Sequence, residues 1–257
     1  HLRKSSTVIP KNFDMSIAPL FGCAVTTAFG VVNNDAKIAV GESVVIFGIG
    51  GVGLNIVQAA SMVSAYPIIA VDLHDKQLDL AKTLGATHTI NSNMTNPKVM
   101  IKDIAGVQGI DVFIDNTGQP AIIEMGYELI KTQGRVILVG VPRKGKNINI
   151  YSLPLHFGKT INGSHGGQSI PHEDIPRYQK LCNLGLIQLK CLITDYCTLD
   201  EINIAIQKML LVMQPMMFDK YQSLFVDRKV LAWPQTKLKP QKNLKEKGAK
   251  PLEQLEF

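Results

Sequence analysis

The strongest constraint on the fold is the run SVVIFGIGGVG at residues 43–53. Its first five residues are uncharged and rich in β-branched side chains, which is the pattern of a buried parallel strand. Gly48, Gly50 and Gly53 follow in the spacing G-x-G-x-x-G, and a helical pattern covers residues 51–64. The sequence therefore predicts a strand, a tight turn and a helix in immediate succession.

The same turn argues against a membrane-spanning helix. Residues 43–71 contain no charged side chain and are long enough to cross a bilayer. However, the glycine cluster lies in the first half of this stretch, and Pro67 lies near its end. Both residue types interrupt helices, so two strands joined by a helix explain the stretch better, and no membrane partner is predicted.

Strand and helix patterns alternate along most of the chain. Strands are predicted at residues 43–47, 67–71, 88–90, 109–114, 135–139 and 159–162. Helices are predicted at residues 51–64, 75–84, 98–104, 121–131, 174–184 and 199–211, and residues 15–32 are predicted to be helical in two pieces that break near Gly22. Short links join the elements, so the predicted fold class is α/β, a doubly wound parallel sheet of the Rossmann type.

The glycine turn is suited to binding a diphosphate. Gly48 permits the sharp turn after the strand, Gly50 lets the backbone approach a pyrophosphate, and Gly53 lets the helix pack closely on the sheet. The predicted second strand ends at Asp72, which is 19 residues beyond Gly53. This combination predicts a dinucleotide site.

Asp72 also bears on the choice of cofactor. A carboxylate at this position accepts the hydroxyls of an adenosine ribose and repels a 2′-phosphate, so NAD is favoured over NADP. His74 and Lys76 lie close by in sequence and keep NADP open.

Three other functions use similar glycine turns. Tyr127 and Lys131 match the Tyr-x-x-x-Lys pair of a short-chain dehydrogenase, but residues 105–126 contain no serine to orient a carbonyl. A methyltransferase usually has an acid before its first glycine, where this chain has Phe47. A nucleotide-sensing module without catalytic activity stays open.

The positive charge of the chain comes mainly from one segment. The formal net charge is +6, and residues 237–250 contain six lysines and one glutamate. The remainder is close to neutral, so no nucleic-acid-binding face is predicted, and the basic segment is interpreted as part of a solvated tail.

The four cysteines, Cys23, Cys182, Cys191 and Cys197, form no CxxC motif. This pattern indicates neither a zinc knuckle nor a disulfide framework, and it is typical of a cytoplasmic enzyme with reduced thiols. The last three cysteines are interpreted as core or surface thiols.

From about residue 13 to residue 209, the sequence resembles the medium-chain, zinc-type alcohol dehydrogenases. The matching stretches, in order, are PLFGCAVTTAFG, VGESVVIFGIGGVGL, AVDLHDKQLDLAKTLGATHTIN, DVFIDNTGQP, QGRVILVGVP and LDEINIAI. The resemblance implies an oxidoreductase that acts on a small-molecule substrate and transfers a hydride between NAD and an alcohol or aldehyde, or between NAD and a polyol or ketone.

The resemblance also implies roles for individual residues. Cys23 would be a ligand of the catalytic zinc, and Thr27 would touch the nicotinamide. Thr117 and Gly118 would border the adenosine half, Gly140 and Val141 would accept the carboxamide, and His165 is given no role. The full set expected to bind the cofactor is Gly48, Gly50, Gly51, Val52, Gly53, Asp72, Lys76, Thr117, Gly118, Gly140 and Val141.

The chain departs from the family in its metal ligands. The other zinc ligands of the family come from a preceding barrel-like domain, of which only a remnant fits in the residues before Cys23. A single thiolate does not hold zinc, so zinc is expected only if a longer parent chain supplies the missing donors. Cys23 is then either that ligand or a buried thiol. An inactive, truncated nucleotide-binding module and a zinc-free quinone or enoyl reductase relative are the alternatives.

The expected organisation has four parts. Residues 1–22 are a remnant of a catalytic domain, residues 23–170 an NAD-binding Rossmann domain, residues 171–214 a helical segment, and residues 215–257 an irregular or disordered lysine-rich tail. Family members commonly pair through the edge strand of this domain, so a homodimer through residues 159–163 is expected.

Overall fold

The structure is a computed structural model that describes residues 7, 9–11 and 13–212. The described residues fall into two units, which divide after Thr194. The described part of the first unit contains six strands: β1 Val44–Phe47, β2 Ile68–Asp72, β3 His88–Asn91, β4 Ile110–Asp115, β5 Ile130–Leu138 and β6 Thr160–Gly163. Its α-helices are α1 Ala24–Gly30, α2 Gly51–Met62, α3 Asp75–Thr83, α4 Pro97–Ala105, α5 Pro120–Leu129 and α6 Pro171–Asn183.

The six strands form one parallel sheet in the order β3-β2-β1-β4-β5-β6. The chain runs outward from β1 to β3, returns to the centre, and then runs outward from β4 to β6. The strand order therefore reverses between β1 and β4, and ligands of open α/β sheets bind at this switch point. The predicted doubly wound fold is confirmed.

Alternate residues of the central strand pack into different halves of the core. Val44 and Ile46 belong to the cluster that also contains buried side chains of α1, α2 and α3. Val45 and Phe47 belong to the cluster with side chains of α4 and α5. Both faces of the sheet are covered, which explains why its strands are so apolar in sequence.

The segment before β1 contains the break predicted near Gly22. A 3₁₀ helix, Ala18–Gly22, ends at Cys23, and α1 begins directly after it. A π-helical turn, Val31–Asp35, extends α1. Among the helices that the structure describes, none is long and apolar enough to cross a membrane.

Several element boundaries differ from the sequence prediction by one to five residues, and two of the differences have a visible cause. The helix predicted to end at residue 131 ends at Leu129, because Ile130 is buried and pairs with Ile110 as the first residue of β5. The helix predicted to begin at residue 174 begins at Pro171, and the Asp174 carboxylate accepts the N–H of Ile170 at 2.7 Å in its first turn. Tertiary pairing and a side-chain contact decide these boundaries.

In the second unit, the predicted helix at residues 199–211 is confirmed with one modification. Its first turn is a 3₁₀ turn, Leu199–Glu201, closed by a capping box between Thr198 and Glu201. The α-helix α7, Ile202–Val212, follows. The predicted tail, residues 215–257, lies outside the described residues, and the predicted domain boundaries stay predictions.

Candidate functional site

The turn after β1 needs glycine at two of its positions. Gly48 has a φ of +88°, in the left-handed region, and its N–H donates to the carbonyl of Val71 at 2.9 Å. A Cβ atom on Gly53 would lie far inside van der Waals contact with the Gly48 carbonyl oxygen. The helix α2 can therefore approach the end of β1 only because both residues lack side chains.

The start of α2 presents backbone donors toward open space. Gly50 is the N-cap residue, and no side chain caps this end of the helix. The N–H groups of Gly51, Val52 and Gly53 have no acceptor within a helix that begins at Gly51. No atom of residues 7, 9–11 and 13–212 lies within 4 Å of a Cβ placed on Gly50 or Gly51, so a ligand can approach this backbone. Such an end, with the positive pole of the helix dipole, binds anions.

Asp72 lies at the end of β2 and is connected to this turn. One carboxylate oxygen accepts the N–H of Ile49 at 2.7 Å, and the other accepts the N–H groups of Leu73 and His74 at 2.8 and 3.0 Å. An ionised carboxylate accepts about four hydrogen bonds, so acceptor capacity remains for a ligand hydroxyl. Asp72 is half-buried, and the side chains of His74 and Lys76 are exposed nearby in the chain.

The turn after β4 is organised by a buried acid that the sequence analysis did not select. Asp115 is fully buried, and its carboxylate accepts hydrogen bonds from Thr117 and Gly118. Burial raises the pKa of Asp115, although these hydrogen bonds act in the opposite direction. The run DNTG was the available signal, because an aspartate commonly bonds the backbone two residues later in a turn.

The ends of β4 and β5 meet beside the glycine turn. A Cβ on Gly140 would overlap the N–H of Gly118, and one on Gly118 would lie 2.6 Å from the carbonyl oxygen of Val141. Asn116 donates from its Nδ2 to the carbonyl of Gly48 at 3.1 Å. The glycines expected to bind the cofactor are thus brought together at the switch point, with Val141 exposed at its edge.

Cys23 and Thr27 lie on a different element. The helix α1 contacts α2 and the turn Gly166–Gln168, and the Ser169 hydroxyl donates to the carbonyl of Thr26 at 2.6 Å. Thr27 is half-buried, whereas Cys23 is exposed at the start of the helix. The interpretation of Cys23 as a buried thiol is therefore wrong for the described structure.

The described residues do not fit a zinc ion. Within residues 7, 9–11 and 13–212, no group of three or more His, Cys, Asp or Glu side chains is placed to hold a metal. Cys182 is half-buried, Cys191 and Cys197 are exposed, and His165 is exposed on the turn after β6. Burial raises the pKa of the Cys182 and Cys191 thiols, which disfavours the thiolate that binds metals.

Tyr127 and Lys131 do not form a catalytic pair. Tyr127 is buried under the sheet, and its hydroxyl donates to the carbonyl of Tyr151 at 2.9 Å. Lys131 forms an ion pair with Asp111, near the start of β4 and away from the switch point. The structure thus supports the rejection of the short-chain dehydrogenase mechanism.

The sheet order and the glycine-rich switch point define a Rossmann domain. A family model described as zinc-binding dehydrogenase matches residues 51–183, which is more than half of the chain. The chain belongs to this family, the zinc-type medium-chain alcohol dehydrogenases, as the sequence resemblance predicted.

Individual relatives agree with this assignment. S-(hydroxymethyl)glutathione dehydrogenase of Escherichia coli is 34% identical over 194 residues, which are 74% of this chain and 52% of the relative. The structure is similar to benzyl alcohol dehydrogenase of Acinetobacter calcoaceticus, with a TM-score of 0.75 and 32% identity over 83% of this chain and 57% of that chain. An alcohol dehydrogenase zinc-binding domain protein of Burkholderia ambifaria gives a TM-score of 0.75 and 33% identity, over 80% of this chain and 56% of that chain. The chain spans about half the length of the curated relatives that it matches.

Proposed function

We propose that this chain binds NAD between the ends of β1 and β4 and serves hydride transfer between NAD and an alcohol, which is thereby converted to the corresponding aldehyde or ketone. The observation that carries the proposal is the connection of the uncapped start of α2 to Asp72 through one glycine turn. The first feature binds a diphosphate and the second a ribose, and the two are held at a fixed separation.

Different residues bind different parts of the cofactor. The N–H groups at the start of α2, from Gly51 to Gly53, bind the diphosphate, and Asp72 accepts ribose hydroxyls. The turn containing Thr117 and Gly118 borders the adenosine half, Gly140 and Val141 receive the carboxamide, and Thr27 and Val52 contact the nicotinamide. Bound NAD supplies the hydride acceptor, and the protein supplies orientation.

Zinc does not enter this binding proposal. A catalytic zinc site needs three protein ligands, and the described residues contain no group of three His, Cys, Asp or Glu side chains, Cys23 included, that is placed to hold a metal. A role for Cys23 as a ligand requires further donors from a longer parent chain. Binding of NAD at the switch point uses none of these groups.

The names of two relatives support a proposal for the substrate class. Their names specify benzyl alcohol and S-(hydroxymethyl)glutathione, both of which carry a primary hydroxyl. We infer a small-molecule alcohol or aldehyde of this kind, a polyol or ketone being the related alternative.

The cysteines bear on the proposed location of the protein. The four free cysteines suit the reducing cytoplasm.

A homodimer through β6 is part of the proposal. This strand is one of the two edge strands of the sheet, and most of its residues are exposed. Tyr151 and Phe157 are large apolar side chains just before it, and they are 70% and 62% exposed. An uncovered edge strand with apolar neighbours suits pairing with a second copy.

Calorimetric titration with NADH tests the binding proposal. We expect saturable binding by the wild type and about ten-fold or greater weakening by Asp72→Ala, because hydrogen bonds to a charged group are lost. Asp79→Ala is the matched control, since Asp79 is an exposed acid on α3 that pairs with Lys82. Equal affinity of Asp72→Ala and wild type would defeat the assignment.

Hydride transfer is tested separately. An active dehydrogenase should reduce NAD to NADH when benzyl alcohol or S-(hydroxymethyl)glutathione is added. The absorbance of NADH measures this reaction. A chain that binds NADH but forms none from either alcohol would be a nucleotide-binding module without this activity.

A further inference from the structure

Asp115 is a fully buried carboxylate, 0% exposed, at the end of β4. The binding scheme proposed above gives it no role. A buried carboxylate is costly unless donors surround it, so its retention at this position needs a physical reason. The reason lies in the groups that it holds.

The side chain fixes the turn that follows. One carboxylate oxygen accepts the Thr117 N–H at 2.9 Å and the Thr117 hydroxyl at 2.6 Å. The other oxygen accepts the Gly118 N–H at 2.8 Å. Gly118 has a φ of +67°, and these bonds hold it in that conformation.

The backbone of the same residue fixes the next strand. The Asp115 carbonyl accepts the N–H groups of Val139 and Gly140 at 2.8 and 2.9 Å. A Cβ on Gly140 would lie 2.3 Å from the Gly118 nitrogen, and one on Gly118 would lie 2.6 Å from the Val141 carbonyl oxygen, so neither position has room for a side chain. Asp115 therefore determines the relative placement of the two backbone segments proposed to contact the cofactor.

We infer that Asp115 is a positioning residue for dinucleotide binding, which holds Thr117, Gly118 and Gly140 in the arrangement that the cofactor meets. This inference rests on the proposed function. Asp115 acts through its neighbours and does not touch the ligand. Preorganisation of this kind raises affinity because the turn is already ordered before binding.

Asp111 provides a matched control on the same strand. It accepts the Ser43 N–H and hydroxyl at 3.0 and 2.7 Å and pairs with Lys131. Its hydrogen bonds are similar in number to those of Asp115, but they lie near the start of β4. A merely structural carboxylate would behave as Asp111 does.

The test compares Asp115→Asn with Asp111→Asn by calorimetry with NADH, at a temperature where circular dichroism shows both variants folded. We expect about ten-fold weaker binding for Asp115→Asn, since the amide presents a donor to one of the backbone N–H groups. We expect affinity within about two-fold of wild type for Asp111→Asn.

Amide hydrogen exchange gives a readout that a general loss of stability would not move. In Asp115→Asn, the Thr117 and Gly118 amides should lose protection, while the Phe113 and Ile114 amides in β4 keep it. If Asp115→Asn does not fold, two variants at Thr117 replace it in the test. Thr117→Val removes the hydroxyl that donates to the Asp115 carboxylate, and Thr117→Ser keeps it. We then expect several-fold weaker NADH binding for Thr117→Val than for wild type, and NADH binding close to that of wild type for Thr117→Ser.

The outcomes separate the two proposals. A folded Asp115→Asn variant that binds NADH as tightly as wild type overturns the inference alone, as does equal binding by Thr117→Val and Thr117→Ser. A wild type that binds no NADH overturns the proposed function and the inference with it.

Discussion

The Asp72 carboxylate accepts the backbone N–H of Ile49 at 2.7 Å, which connects the end of β2 to the glycine turn after β1. The two residues are 23 positions apart in sequence. The group proposed to hold the ribose is therefore fixed by the same turn that is proposed to hold the diphosphate. A change at Asp72 affects both parts of the site.

The cofactor preference should depend on this carboxylate. We expect Asp72→Ser to lower the ratio of the NADP to the NAD dissociation constant by about ten-fold, because repulsion of the 2′-phosphate is removed. Adding Lys76→Ala should reverse part of the gain, since an exposed cation is lost. Titration of each variant with both cofactors measures the ratio, and an unchanged ratio in Asp72→Ser would contradict the assignment of NAD specificity.

Alanine substitutions at Gly51 and Gly53, both in the first turn of α2, should change the free energy of unfolding in opposite directions. Gly53→Ala places a methyl group against the Gly48 carbonyl, and we expect a loss of about 1–3 kcal/mol in the free energy of unfolding. Gly51→Ala meets open space in the first turn of α2, and we expect a gain of up to about 1 kcal/mol. Urea unfolding compares the two, and a similar loss for both would show that close packing is not the cause.

Asp111 and Asp115 should affect the pH dependence of stability in opposite directions. Burial opposes ionisation of Asp111, but hydrogen bonds from Lys131 and Ser43 outweigh it and lower the Asp111 pKa below 3.8. Burial raises the pKa of Asp115 above 3.8. The stability that Asp111 contributes is therefore present above its ordinary pKa and is lost as the pH falls through its folded pKa. The stability that Asp115 contributes is present at low pH and is lost as the pH rises from 3.8 through its folded pKa.

It follows that Asp111→Asn should lower the free energy of unfolding more at about pH 7 than at about pH 3. Asp115→Asn should lower it less at about pH 7 than at about pH 3. Urea unfolding of wild type and both variants at the two pH values provides the differences. A pH trend of the same sign for both variants would show that the two environments do not differ as described.

The proposed dimer should be sensitive to charge on the edge strand. We expect Thr160→Lys to give a monomer, because a two-fold interface along β6 brings the two lysines close together. Met94→Lys, an exposed position after β3 at the other edge of the sheet, is the control and should leave the oligomeric state unchanged. Gel filtration with light scattering measures it, and a wild type that is already monomeric would remove the dimer from the proposal.

Local patterns were sufficient to predict the elements that form the site. The β-branched run before Gly48, the glycine spacing and the acid at Asp72 are short-range signals, and each depends on backbone sterics or on strand burial. The structure confirms the sheet and brings these residues together. The start of β5 at Ile130 was missed, because its pairing with Ile110 is a contact between separate segments.

The sequence by itself determined the parallel α/β fold and the glycine turn, since these follow from periodicity and from residues close together in the chain, and its resemblance to known dehydrogenases indicated the family. Only the tertiary structure showed that Cys23 is exposed, and that Asp115 joins the turn after β4 to the end of β5. Burial and hydrogen bonding of such residues depend on which distant segments meet at the switch point. That meeting is a property of the packed sheet, and no single stretch of sequence contains it.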